Sequence, residues 1–110
     1  MKKLILILCF LICMMNCAIG GQTKDAKGIW IDVRTAEEYK SGHIEGAINI
    51  PHGEIGREIE SVTKDKGKTI HLYCKSGRRS GFAKEVLEKM GYINVINEGG
   101  YKDIKKRGDK

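Results

Sequence analysis

Four short runs rich in β-forming residues, each followed by a stretch with helical spacing, restrict this 110-residue chain to a small set of folds. The runs are Gly28-Ile29-Trp30-Ile31-Asp32-Val33, Ala47-Ile48-Asn49-Ile50, Thr69-Ile70-His71-Leu72-Tyr73 and Tyr92-Ile93-Asn94-Val95-Ile96. Strands separated by helices need crossover connections, which lay the strands parallel and bury the sheet on both sides. The expectation is a single α/β domain with a largely parallel sheet of about four to five strands and helices on both faces. No internal repeat, low-complexity tract or linker divides the chain, and its length suits one core.

Local signals place the helices. Thr35-Ala36-Glu37-Glu38 has the spacing of a capping box, and Gly42 ends the short helix that follows. Pro51 stops the second run, after which Ile55, Ile59 and Val62 share one helical face. Beyond a turn at Gly67-Lys68 and the third run, Ala83, Val86, Leu87 and Met90 form an apolar stripe, with Ser80 as the expected N-cap and Gly91 at the C′ position. Gly99-Gly100 leads into a last short helix, about Tyr101 to Lys106.

The first twenty residues read differently. Lys2 and Lys3 precede an apolar run from Leu4 to Met15, and Ala18-Ile19-Gly20 offers small residues at alternate positions. This is the pattern of a secretory signal peptide, and the run is shorter than the roughly 20 residues a membrane-spanning helix needs. Residues 1–20 are therefore expected to be cleaved, leaving residues 21–110 as the domain in an exported, periplasmic setting. The competing reading is a lipid anchor on Cys17; Asn16 before it is a poor fit to the small residue a lipidation signal carries, and only this route brings a membrane into play. Of the 4 cysteines, Cys9, Cys13 and Cys17 fall in this segment. Cys74 then has no partner for an internal disulfide.

Cys74 opens Cys74-Lys75-Ser76-Gly77-Arg78-Arg79-Ser80 at the end of the third run, ahead of an amphipathic helix. In parallel α/β sheets ligands bind outside the carboxyl ends of strands, which is where this segment falls. Free N–H groups of a tight loop, the positive end of a helix and the side chains of Lys75, Arg78 and Arg79 all favour thiolate over thiol. A thiolate nucleophile acting on an anion fits this set; a buried, inert cysteine would not normally sit beside Gly77 and two arginines. The net charge of +6 is modest, and the basic tail Lys102 to Arg107 lacks the aromatic interleaving of a nucleic-acid surface. His43, His52 and His71 have no spacing that suggests a metal site, so no metal and no cofactor are expected.

Four blocks, in order, resemble the rhodanese sulfurtransferase family: Ile31-Asp32-Val33-Arg34, Gly42-His43-Ile44-Glu45-Gly46-Ala47-Ile48-Asn49-Ile50-Pro51, the Cys74 loop, and Glu98-Gly99-Gly100-Tyr101-Lys102. The resemblance implies thiosulfate sulfurtransferase activity through a persulfide on Cys74, with sulfur passing to cyanide or to another small or protein thiophile. It assigns Lys75, Ser76, Gly77, Arg78 and Ser80 to the loop that wraps the sulfur and makes Arg79 the matching catalytic arginine. Asp32 and Arg34 are supporting residues, read either as ordering the loop or, more simply, as a structural ion pair. With no second such domain to wall it, the site is expected to be open.

Loop length separates the nearest rival. Cysteine phosphatases and arsenate-reductase-type enzymes of related fold place their arginine six residues after the cysteine, where this chain has Ser80. A binding or redox-sensing module is the remaining alternative, and retention of Cys74 with both arginines argues against a pure binding role.

Overall fold

The computed structural model describes residues 28–108, so the signal segment and Cys17 lie outside the described residues. Strand β1 (Ile29–Asp32) leads through α1 (Ala36–Lys40) to β2 (Ile48–Asn49). A 3₁₀ turn (His52–Glu54) opens into α2 (Ile55–Val62), followed by β3 (Ile70–Cys74) and α3 (Arg78–Lys89). The described chain closes with β4 (Val95–Gly100) and α4 (Tyr101–Arg107). All strand pairs are parallel, in the order β2-β1-β3-β4.

The period of two along the strands divides the core into two layers. Ile31, Ile70, Leu72 and Cys74 meet Ile55 and Ile59 of α2 and Ala83 and Leu87 of α3. Tyr73 on the opposite face meets Ile44, Ala47 and Ile104 of α4, with Trp30 and Tyr101 packed against them. The sheet is thus covered on both faces, and its four strands fall within the expected range.

Three local expectations need correction. The second strand has only two residues, and Ile48 is 41 % exposed, because β2 is the sheet edge and pairs with β1 alone. The fourth strand starts at Val95 and runs on through Gly99-Gly100. Tyr92 instead drops into the core, where its hydroxyl donates to the Thr63 carbonyl, and Ile93 lies 75 % exposed. Ser80 does not cap α3: the helix begins two residues earlier with Gly77 at the N-cap, and buried Ser80 turns its hydroxyl inward.

Candidate active site

The capping box of α1 forms as its spacing predicts, with the Glu38 amide donating to Thr35 Oγ1 and the Thr35 amide donating to Glu38 Oε1. The same carboxylate reaches further. Arg79 Nη1 donates to Glu38 Oε1 at 2.9 Å and Nη2 to Oε2 at 3.1 Å, a two-pronged pair joining the start of α3 to α1. The Arg79 pair, helped by the Thr35 amide, lowers the Glu38 carboxyl to about 2 from an ordinary 4.5. A carboxylate that is more acidic folded than unfolded stabilises fully above about pH 4.5, and loses that contribution as pH falls toward about 2. Glu38→Gln should flatten the pH dependence of stability across that window in urea titrations; an unchanged slope would remove the clasp from the account.

Asp32 and Arg34 form a buried pair of their own. The Arg34 amide and Nε donate to Asp32 Oδ1 at 2.9 Å, and Nη2 donates to Oδ2 at 2.6 Å. Arg34 Nη2 also donates to the Gly42 carbonyl, and the guanidinium lies over the rings of Tyr73 and Tyr101, at 5.6 and 4.6 Å. Both Asp32 carboxylate oxygens accept from Arg34, the arrangement of an ion pair, while Arg34 also lines the cleft beside the cysteine loop.

Cys74 ends β3, and the next residues fold back over it. The Gly77 amide donates to Cys74 Sγ at 3.0 Å, and Ser80 Oγ stands 3.6 Å from the sulfur. Gly77 takes φ of 95°, the left-handed region in which a side chain is strained. A Cβ on Gly100 would stand 2.5 Å from the Lys75 carbonyl oxygen, so β4 presses backbone against backbone and only glycine fits. Burial pushes the thiol pKa up, but the Ser80 hydroxyl and the amides of Ser80, Ser76 and Gly77 together outweigh it, leaving the thiol below its ordinary value. Hydrogen bonds, more than the neighbouring cations, make this thiol acidic.

Lys75 and Ser76 line a cleft of about 520 Å³ together with Arg34, Glu38, Ser41, Tyr101 and Lys102. Arg78 is exposed on the outer surface and does not join it. Cys74 itself is fully buried beneath its loop and does not line the cleft, to which its sequence neighbours Lys75 and Ser76 contribute. Pattern reading missed two residues. Glu38 was hidden by its role in the capping box, and Asn97, whose carboxamide braces the loop, carried no local signal.

With this geometry in hand, comparisons with known proteins converge. The model of the rhodanese-like domain family matches residues 20–107. Thiosulfate sulfurtransferase PspE of Escherichia coli (strain K12) is 52% identical over 75 residues, covering 68% of this chain and 72% of that protein. The thiosulfate:glutathione sulfurtransferase of Saccharomyces cerevisiae is 31% identical over 99 residues, covering 78% of this chain and 71% of the yeast protein. Among solved structures, a rhodanese with anions from E. coli superposes with a TM-score of 0.67 at 51% identity, covering 69% of this chain and 89% of that one.

Proposed function

The chain belongs to the rhodanese-like domain family, and from that premise we propose that it transfers the outer sulfur of thiosulfate to a thiophile through a persulfide on Cys74. The observation that carries the proposal is a fully buried thiol set among hydrogen-bond donors, with the two residues that follow it in sequence, Lys75 and Ser76, lining a partly basic cleft. The Cys74 thiolate attacks the outer sulfur of thiosulfate. A new S–S bond forms, the S–S bond of thiosulfate breaks, and its electron pair leaves with sulfite. The enzyme is left as a persulfide anion, Cys–S–S⁻. Cyanide or a thiol then takes the terminal sulfur and returns the thiolate, a two-step covalent cycle.

The residues divide the work. The amides of Ser76 and Gly77 and the Ser80 hydroxyl stabilise negative charge on sulfur before the reaction begins, so little reorganisation is needed as charge moves. Lys75 and Lys102, both at the cleft, raise the local concentration of a dianionic donor. Arg79 acts on the sulfur through space from its pair with Glu38. The test is to incubate the purified protein with thiosulfate, look for a mass gain of one sulfur on the Cys74 peptide, then add cyanide and measure thiocyanate. Absence of the adduct would end the proposal, and hydrolysis of an aryl phosphate would replace it with the phosphatase reading.

The proposal also places the domain outside the cytoplasm, on the strength of the basic-then-apolar segment before Gly20. The intact mass of the cellular protein should correspond to a chain starting at Gly21; a mass carrying acyl chains on Cys17 would move it to a membrane surface instead.

A further inference from the structure

Asn97 is the residue at which β4 changes step. The register passes from Leu72 opposite Asn97 to Tyr73 opposite Gly99, so β4 carries Glu98 as one extra residue. Such bulges re-aim side chains, and this one sets the Asn97 carboxamide against the cysteine loop. Nδ2 donates to the Gly77 carbonyl at 2.9 Å, while Oδ1 accepts from the Gly99 amide at 3.0 Å and from Ser80 Oγ at 2.7 Å. The orientation is fixed by its neighbours, since a carbonyl can only accept and an amide N–H only donate.

Ser80 therefore stands between two acceptors with a single hydroxyl proton: Asn97 Oδ1 at 2.7 Å and Cys74 Sγ at 3.6 Å. We propose that Asn97 is a positioning residue that holds the Ser80 proton while Cys74 is a thiol and yields it when the sulfur carries charge. In the thiol state the chain of bonds runs S–H to Ser80 Oγ and Oγ–H to Asn97 Oδ1. When the thiol proton leaves to solvent, the Ser80 hydroxyl rotates and donates to S⁻. Asn97 Oδ1 keeps the Gly99 amide, so it retains a donor in both states. The same rotation serves the persulfide cycle, because the charge on Sγ is lost to the new S–S bond and returns when the acceptor takes the outer sulfur. Asn97 thus competes with the sulfur for one proton and sets how acidic the thiol is.

The proposal rests on Cys74 as the reacting thiol, but its readout is independent of sulfur transfer: the pH profile of Cys74 alkylation by iodoacetamide, followed on the Cys74 peptide by mass spectrometry. The charged groups around the loop are Lys75, Arg78, Arg79 and the Glu38 that pairs with Arg79, with Arg34 and Lys102 at the cleft and Glu98 beside Asn97 in the bulge, and all are kept. Asn97→Ala removes the competing acceptor and should lower the alkylation midpoint by about half a pH unit or more. Asn97→Asp, which holds the proton harder, should raise it. The Gly77 carbonyl remains bonded to the Gly81 amide at 3.0 Å, so the loop keeps its anchor to α3 in both variants. Ser80→Ala should raise the midpoint, and Asn97→Ala added to it should produce no further shift. A purely structural Asn97 would move both Asn97 variants upward and act equally with or without the Ser80 hydroxyl, and either result overturns the proposal. If Asn97→Ala does not fold, an unshifted midpoint in Ser80→Ala overturns it by itself.

Discussion

Cys74→Ala should abolish the sulfur adduct and lower cyanide-dependent thiocyanate formation by on the order of a thousand-fold or more, to the background of thiosulfate with cyanide alone. The loss is that large because the sulfur is the reacting atom: the Gly77 amide, the Ser80 hydroxyl and the amides of Ser76 and Ser80 have nothing to stabilise once it is gone. Stability should change far less, since a small buried side chain gives way to a slightly smaller one and leaves only a small cavity. Thermal melting of the variant separates the two effects. Turnover that survives the substitution would refute the persulfide mechanism outright.

Asp32→Ala should cost about 3–5 kcal/mol of folding stability, enough to remove much of the margin of a domain this size. Asp32 is fully buried and Arg34 only 6 % exposed, and the carboxylate supplies most of the acceptors that the guanidinium has. Without it a cation is left buried with the Gly42 carbonyl and two aromatic faces. The direction is decided by desolvation: forming such a pair gains little, but breaking it strands a charge. Replacing both residues with apolar ones of similar size should therefore recover much of the loss. A single-mutant penalty below about 1 kcal/mol in urea titrations would show that water reaches Arg34.

What could be read in advance follows from what acts locally. Strand and helix identities came from periodicity and caps, so β1, β3, α1 and the stripe of α3 stand close to where the pattern put them. Edges were misjudged, because Ile48 looks like a core residue until its place at the rim of the sheet is known. Tyr92 and Ile93 shared a β-like run, yet Gly91 in the left-handed region turns one into the core and the other out. At the site, Cys74 and its loop were legible because their signal is contiguous. Glu38 and Asn97 were not: each reaches the loop from 41 and 20 residues away, across the sheet topology, and neither distance is written in the sequence.

The close contact of Gly99 and Gly100 with the cysteine loop also bears on when the protein acquires its chemistry. The thiol, its loop and α3 leave the ribosome before Asn97, Gly99 and Gly100, the residues that brace them. Until β4 docks beside β3, the amides that hold the sulfur's charge have no fixed direction. A nascent chain therefore carries Cys74 as an ordinary, sluggish thiol, and reactivity arrives only with the finished fold.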